Sequence, residues 1–236
     1  MTEKFEIKHG DSRELIKTIP DNSVDLILTD PPYNLGVYSA ENLKFKWEKH
    51  TRNHIAHWDL IDFNPSEWLS EFMRILSPNG NIFAFTSHNL LGKWHESFGN
   101  KFDKNTFMIW RKTNPVPKFL KKGFLNACEL VFCCWNKGNT WNFDSQKTMH
   151  NFIESSICMG NERLKAPHHP TQKPVKILKR IIEIASNEGD IVFDPFMGVG
   201  STGVAALEIN RKFIGFELGK IYFDAAHQRI EKTNNI

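Results

Sequence analysis

The sequence contains no apolar run long enough to cross a membrane, and residues 1–4 are polar where a signal peptide would need an apolar core. We therefore expect a cytosolic protein. Internal repeats and low-complexity tracts are also missing. Because a chain of 236 residues has room for one large core, a single domain with insertions is the expected organisation.

Cysteine is scarce and does not follow the spacing of a zinc site. The four cysteines are Cys128, Cys133, Cys134 and Cys158. The neighbours Cys133 and Cys134 would point to opposite faces of a strand. We expect all four to be buried thiols, since free cysteine packs as a small hydrophobe in a reducing compartment, and we expect no metal site.

Acidic residues are missing between Lys104 and Cys128, although the formal net charge of the chain is only +3. In this segment cations alternate with aromatic rings: Lys104, Arg111, Lys112, Lys118, Lys121 and Lys122 with Phe107, Trp110, Phe119 and Phe124. Residues 44–54 form a second such stretch. Cations with interleaved rings suit a nucleic-acid backbone and its exposed bases, and a solvated basic face is the alternative.

One strand of the sequence ends in an unusual turn. The apolar run from Val24 leads directly into Asp30-Pro31-Pro32-Tyr33. Proline has no N–H for a sheet and disfavours helix before it, so the two prolines hold Asp30 and Tyr33 on a stiff, exposed turn. Rigid loops at strand ends carry the chemistry of many α/β proteins, although prolines also serve as plain punctuation after strands.

A second short strand, at 191–193, ends in a glycine-rich turn. The turn covers 194–203, and a helical pattern follows over 204–209. Glycines let the backbone approach a bound molecule, and a helix start offers unpaired N–H groups. The next strand ends on Glu217, where the carboxylate could bind a ribose diol. This pattern predicts a site for a nucleoside-type ligand.

Strands and helices alternate along the chain. Further strands are predicted at 6–9, 81–86, 106–111 and 129–136, and helices at 12–17, 65–76, 175–186 and 220–231. Irregular segments cover 35–62, 114–126 and 137–168. The alternation predicts an α/β fold with a mostly parallel sheet and helices on both faces, so both turns should share one crevice.

Three motifs resemble those of the DNA amino-methyltransferases that use S-adenosylmethionine: TDPPYN at 29–34, HPTQKP at 169–174 and DPFMGVGST at 194–202. With the catalytic motif first and the cofactor motif last, the chain resembles the beta class over essentially its whole length. The resemblance implies a Rossmann-like methyltransferase fold with a circularly permuted motif order and a seven-stranded sheet. It implies one catalytic domain over 1–236, with target-recognition loops at about 35–62 and 114–168.

The resemblance also implies roles for the residues of the first turn. Asp30 and the Pro31 carbonyl would each accept one N–H of an exocyclic amino group, which aims the nitrogen lone pair at the methyl donor. Pro32 completes the turn, and Tyr33 would stack on a base flipped out of the duplex. Aspartate at position 30 is more typical of adenine-N6 than of cytosine-N4 enzymes, so adenine is favoured.

The implied cofactor residues lie in four other segments. Asp194, Phe196, Gly198, Gly200 and Thr202 belong to the glycine-rich turn, Glu217 would bind the ribose, Asp11 would lie near the adenine, and His169, Thr171 and Lys173 would close over the cofactor. Met197 and Val199 depart from the small residues usual there. The implied partners are double-stranded DNA, a second copy of the chain and a cognate restriction endonuclease.

Three alternatives stay open at this point. Residues 198–203 match the dinucleotide pattern G-x-G-x-x-G of nicotinamide oxidoreductases, but Asp194-Pro195-Phe196 separates that pattern from its strand. An RNA or protein amino-methyltransferase shares the Asp-Pro-Pro-Tyr turn, although the motif order argues against it. A DNA-binding subunit without catalysis is the third, and intact Asp30, Tyr33 and Glu217 argue against that.

Overall fold

A computed structural model describes residues 4–34, 62–117 and 123–235 of the protein. Its strands are β1 (Phe5–His9), β2 (Val24–Thr29), β3 (Leu76–Thr86), β4 (Lys104–Lys112), β5 (Cys128–Trp135), β6 (Phe152–Ser155), β7 (Ile191–Asp194) and β8 (Lys212–Glu217). Its α-helices are α1 (Ser12–Leu15), α2 (Leu69–Ile75), α3 (His88–Phe98), α4 (Val175–Ala185), α5 (Ser201–Leu207) and α6 (Lys220–Asn234). Short 3-10 turns cover Ile16–Thr18 and Pro65–Trp68.

The strands form one sheet in the order β1-β8-β7-β2-β3-β5-β4-β6. Strand β5 is antiparallel to both β3 and β4, and the other neighbouring pairs are parallel. The expected mostly parallel sheet is therefore confirmed. Its eight strands in the described part of the chain exceed the expected seven, because β6 lies in the segment 137–168 that was predicted to be a loop.

Helices cover both faces of the sheet. On one face α4, α5 and α6 pack on strand residues such as Leu26, Phe85 and Cys133. On the other, α2 and α3 pack on residues that include Ile27 and Cys134. The predicted opposite orientation of the adjacent cysteines is confirmed. The prediction that all four thiols are buried is wrong for Cys128, which is exposed.

Besides β6, two elements differ from the sequence prediction. Helix α3 was not predicted, although Leu90, Trp94 and Phe98 recur at helical spacing and are buried; Gly92 weakens the local helical pattern. Pro78-Asn79-Gly80, which follows the predicted helix 65–76 and precedes the predicted strand 81–86, lies inside β3. The pairing with β2 shifts there from Val24 with Leu76 to Leu26 with Asn81, so these residues form a bulge.

No helix in the described ranges has both the length and the apolar character needed to span a bilayer.

Candidate active site

Strands β2 and β7 lie side by side and parallel, with Leu26 opposite Val192 and Ile27 opposite Phe193. The turns that follow them therefore leave the same edge of the sheet, where the direction of strand succession reverses. Between the turns lies a cleft of about 1310 Å³, including its open mouth. It is lined by all four residues of the first turn, Asp30, Pro31, Pro32 and Tyr33, and by Asp11, His169, Thr171, Lys173, Asp194, Phe196, Gly198, Thr202 and Glu217.

Gly200 is the one predicted site residue that does not line this cleft. It has φ +77° and precedes α5. A Cβ there would lie 3.0 Å from Ala226 Cβ and from Ile230 Cδ1. Gly200 therefore lets α6 approach the turn from behind, whereas Gly198 is the glycine that faces the cleft.

The carboxylate of Asp30 is bound on both oxygens. Tyr33 donates its hydroxyl to Asp30 Oδ1 at 2.6 Å, and Lys173 Nζ donates to Oδ2. Burial raises the pKa of Asp30, against the opposing effect of Lys173. Burial would lower the pKa of Lys173, but the neighbouring carboxylates raise it above its ordinary value. Burial and the carboxylates raise the pKa of Tyr33, so its hydroxyl stays neutral.

Two charged residues that the sequence analysis did not assign to the site, Glu129 and Lys112, extend this cluster. Glu129, on β5, lies 3.2 Å from Lys173 Nζ through Oε2 and 2.7 Å from Lys112 Nζ through Oε1. The Lys112 side chain is only 12% exposed, so this cation of the predicted nucleic-acid stretch is engaged inside the protein. The local signal was weak, since Glu129 is a single acid within an otherwise apolar strand.

The glycine-rich turn is held by Asp194. Its carboxylate accepts hydrogen bonds from Thr202 Oγ1 at 2.7 Å and from the Phe196 backbone N–H at 3.0 Å. Burial raises the pKa of Asp194 to about 7. Asp194 thus closes the turn on itself and fixes the start of α5.

Glu217 and Asp11 reach the cleft from the ends of β8 and β1. Glu217 accepts hydrogen bonds from the backbone N–H groups of Gly198 at 3.0 Å and Gly219 at 2.6 Å, which ties β8 to the glycine-rich turn. Burial raises the pKa of Glu217. Asp11 accepts from the Arg13 backbone at 2.9 Å and so caps α1, and the bond from the Arg13 side chain lowers the pKa of Asp11.

His169 closes the cleft beside Gly198. A Cβ on Gly198 would lie 3.1 Å from His169 Nε2, so a side chain there would push the ring back by a few tenths of an ångström. The imidazole also packs edge-on against Tyr222, with ring centroids 4.8 Å apart. Burial lowers the pKa of His169 to about 4, and the ring is therefore neutral near pH 7.

Phe63 and Trp68, which the sequence analysis did not assign to the site, form an aromatic wall of the cleft together with Phe196. Phe196 packs edge-on against Trp68, with centroids 4.9 Å apart, and against Phe63 at 5.7 Å. Asn34, the last residue of TDPPYN, donates to Asp62 Oδ1 at 3.0 Å and accepts from the Phe63 backbone at 2.8 Å. These hydrogen bonds join Asn34, which precedes the segment 35–61, to Asp62 and Phe63, which follow it.

The predicted recognition segments are partly described. Residues 35–61, with the basic stretch 44–54, and residues 118–122 lie outside the described ranges. Within 114–168, strand β5 was predicted and strand β6 was not, and the role of this segment in target recognition stays a prediction. Trp110 is buried and Arg111 is paired with Glu154, whereas Phe107 and Phe124 are exposed.

Within the described ranges, no group of three or more His, Cys, Asp or Glu side chains could hold a metal ion.

Comparison with known proteins places these features in context. A family model described as DNA methylase matches residues 24–228. The type II methyltransferase M.HinfI of Haemophilus influenzae is 32% identical over 251 residues, which cover 96% of this chain and 68% of that protein. The type II methyltransferase M2.LlaDCHI of Lactococcus lactis subsp. cremoris is 34% identical over 247 residues, covering 95% and 88%.

Solved structures are similar as well. The M1.HpyAVI complex with S-adenosylmethionine has a TM-score of 0.69 and 29% identity, covering 95% of this chain and 99% of that one. PvuII DNA methyltransferase, described as cytosine-N4-specific, has a TM-score of 0.70 at 20% identity, covering 100% and 92%. The second likeness concerns the fold alone.

Proposed function

Because this chain belongs to the DNA methylase family, we propose that it transfers a methyl group from S-adenosylmethionine to the exocyclic amino group of adenine in double-stranded DNA. One observation carries the proposal: the Asp30 turn and the Gly198 turn leave adjacent parallel strands and line the same cleft. The relative M1.HpyAVI, in a structure with S-adenosylmethionine, supports the identity of the donor.

The cleft has groups that fit this cofactor. Gly198 presents bare backbone at φ +52°, and a Cβ there would meet His169. Phe196 offers an apolar ring, and Glu217 is a carboxylate at a strand end that can accept from ribose hydroxyls. When bound, S-adenosylmethionine supplies an electrophilic methyl group, and the C–S bond breaks with its electron pair on sulfur as the new N–C bond forms.

Asp30 performs the central task. The lone pair of an exocyclic amino group is delocalised into the base, so the nitrogen is a weak nucleophile. In the proposed mechanism, Asp30 and the Pro31 carbonyl each accept one N–H, which localises the lone pair and directs it toward the methyl group. Asp30 also accepts the proton that the nitrogen loses. Burial raises the pKa of Asp30 and so makes this carboxylate a stronger base.

Tyr33 supports the base in the same proposal. Its hydroxyl is fixed by the 2.6 Å hydrogen bond to Asp30, so the ring is held at the cleft wall. Stacking on a flipped base contributes about 1–3 kcal/mol, which offsets a flipping penalty of a few kcal/mol.

The remaining parts of the proposal concern organisation and partners. We propose one methyltransferase domain over 1–236, in which 35–62 and 114–168 recognise the target sequence. A DNA substrate makes the cytosol the expected compartment. The homodimer and the cognate endonuclease stay predictions, and light scattering of the purified protein measures the first.

The test uses purified protein, unmethylated duplex DNA and S-adenosylmethionine carrying a labelled methyl group. After digestion to nucleosides, we expect the label in N6-methyldeoxyadenosine. Label in N4-methyldeoxycytidine would overturn the choice of base, and DNA left unlabelled at every target would overturn the proposal.

Asp30→Ala should reduce turnover to background while DNA binding persists. Asp21→Ala is the matched control, because Asp21 is an exposed carboxylate that precedes β2 at the opposite edge of the sheet. We expect this control to keep wild-type turnover.

A further inference from the structure

A row of four charged side chains runs from the catalytic turn into the sheet. Asp30 contacts Lys173, Lys173 contacts Glu129, and Glu129 contacts Lys112. The exposed fractions of these side chains are low: 22% for Asp30, 6% for Lys173, 16% for Glu129 and 12% for Lys112. Two carboxylates and two ammonium groups balance, so a row this poorly solvated carries no net charge.

The row poses a problem for the reaction. Both oxygens of Asp30 already accept a hydrogen bond, one from Tyr33 and one from Lys173. A target amino group must also donate to this carboxylate, and an ammonium group is a strong competitor for the same oxygen. Lys173 cannot simply leave, because a buried charge without a partner is strongly unfavourable.

Glu129 is positioned to be a second carboxylate partner for Lys173. It lies 3.2 Å from Lys173 Nζ, so the ammonium can shift toward it without leaving a carboxylate partner. The 2.7 Å contact with Lys112 holds the other oxygen of Glu129 in place. Burial would raise the pKa of Glu129, but Lys173 and Lys112 outweigh it and lower that pKa, so Glu129 is ionised and able to accept the cation.

We propose that Glu129 is a positioning residue for methyl transfer: it takes over Lys173 when the target amino group engages Asp30, and Lys112 anchors it. This inference rests on the proposed function. In this proposal Glu129, a residue of β5 that is remote in sequence from the three motifs, controls how freely Asp30 accepts a hydrogen bond.

The acid side of the pH profile should report this control. The charged and titratable groups around Asp30 are Tyr33, Lys173 and Glu129, with Asp194 nearby. The negative charge of Glu129 raises the pKa of Asp30, and Lys173 lowers it. Glu129→Gln removes the first effect and leaves the second, so the pKa of Asp30 falls. Since the reaction needs ionised Asp30, the acid limb of the rate should move to lower pH.

The experiment measures the single-turnover rate of methyl transfer against pH. For Glu129→Gln we expect a plateau rate lower by roughly 10- to 100-fold, as for other displacements of a reacting group, together with the acid limb at lower pH. Affinity for S-adenosylhomocysteine should stay at the wild-type value. Glu129→Asp keeps the charge and should return the acid limb toward its wild-type position.

Glu208→Gln is the matched control. Glu208 forms an ion pair with Lys179 that lies outside the cleft, so the same change of charge there should leave rate and profile unchanged. Lys112→Gln is the second test. If Glu129→Gln does not fold, Lys112→Gln alone tests the role of Glu129. Without Lys112 the charge of Glu129 is less neutralised, so the acid limb should move to higher pH.

The outcomes separate the two proposals. Wild-type protein that transfers no methyl group contradicts the proposed function itself. The role of Glu129 is overturned if the wild type is active and the folded variant, Glu129→Gln or Lys112→Gln, keeps the wild-type plateau rate and acid limb.

Discussion

Gly198 shows how much one residue determines in this cleft. Its φ of +52° lies in the left-handed region, and a Cβ would lie 3.1 Å from His169 Nε2. Its N–H also donates to Glu217. Gly160 has a similar φ of +59°, but a Cβ there would meet nothing within 4 Å. Replacing either glycine by alanine therefore strains the backbone to a similar extent. Only at Gly198 would the new side chain meet a neighbour.

Gly198→Ala should weaken the binding of S-adenosylhomocysteine by about tenfold or more, which is 1.4 kcal/mol. The reason is that the new methyl group displaces the His169 ring at the cleft. Gly160→Ala is the control: both variants should lose about 1 kcal/mol of folding free energy from the left-handed backbone, and only Gly198→Ala should lose affinity. Isothermal titration calorimetry measures the difference, and equal affinity of the two variants would contradict the assigned role.

At the scale of elements, α5 and α3 use glycine in opposite ways. In α5 a Cβ on Gly203 would lie 2.6 Å from Ile230 Cδ1 and 2.7 Å from Phe213 Cε1. Both neighbours are fully buried, so neither can move aside easily. Gly203 thus sets how closely α5 packs against β8 and α6. In α3, a Cβ on Gly92 would meet nothing within 4 Å.

Gly203→Ala should lower the free energy of unfolding by about 1–3 kcal/mol, as for other overpacked cores. Gly92→Ala, the same substitution in an open helical position, should raise it by about 0.5–1 kcal/mol because alanine has the better helix propensity. Urea denaturation measures both. If both variants change the free energy of unfolding in the same direction, the packing of α5 does not determine the effect of Gly203→Ala.

At the scale of the whole molecule, the cleft draws on many parts of the chain. Its walls come from the residues after β1, β2, β7 and β8, from 62–68 and from the segment before α4. A ligand that fills the cleft therefore contacts groups that unfolding would separate. Binding to the native state alone should stabilise the entire fold.

S-adenosylhomocysteine at 100 times its dissociation constant should add about 2.7 kcal/mol of stability. For a domain of this size that corresponds to a rise in melting temperature of about 5–10 °C. NAD at the same concentration is the comparison, and it should leave the melting temperature unchanged. A rise with NAD and none with S-adenosylhomocysteine would favour the oxidoreductase alternative.

Some of this architecture was predictable from the sequence. Turn chemistry and apolar period are local properties, so the strand ends at Asp30 and Asp194 could be recognised directly. Their meeting followed from one rule, that the carboxyl ends of parallel strands share an edge. The opposite faces of Cys133 and Cys134 followed from the two-residue period of a strand.

Other features depended on the tertiary structure. Lys112 belongs to a basic stretch in the sequence, yet it pairs with buried Glu129, because the antiparallel pairing of β4 with β5 brings the ends of the two strands together. Phe63 and Trp68 reach Phe196 from more than a hundred residues away. The sequence by itself predicted seven of the eight described strands and both turns, since these depend on neighbours along the chain. Only the tertiary structure decided which distant charges and rings face one another, since such contacts depend on strand register and helix packing.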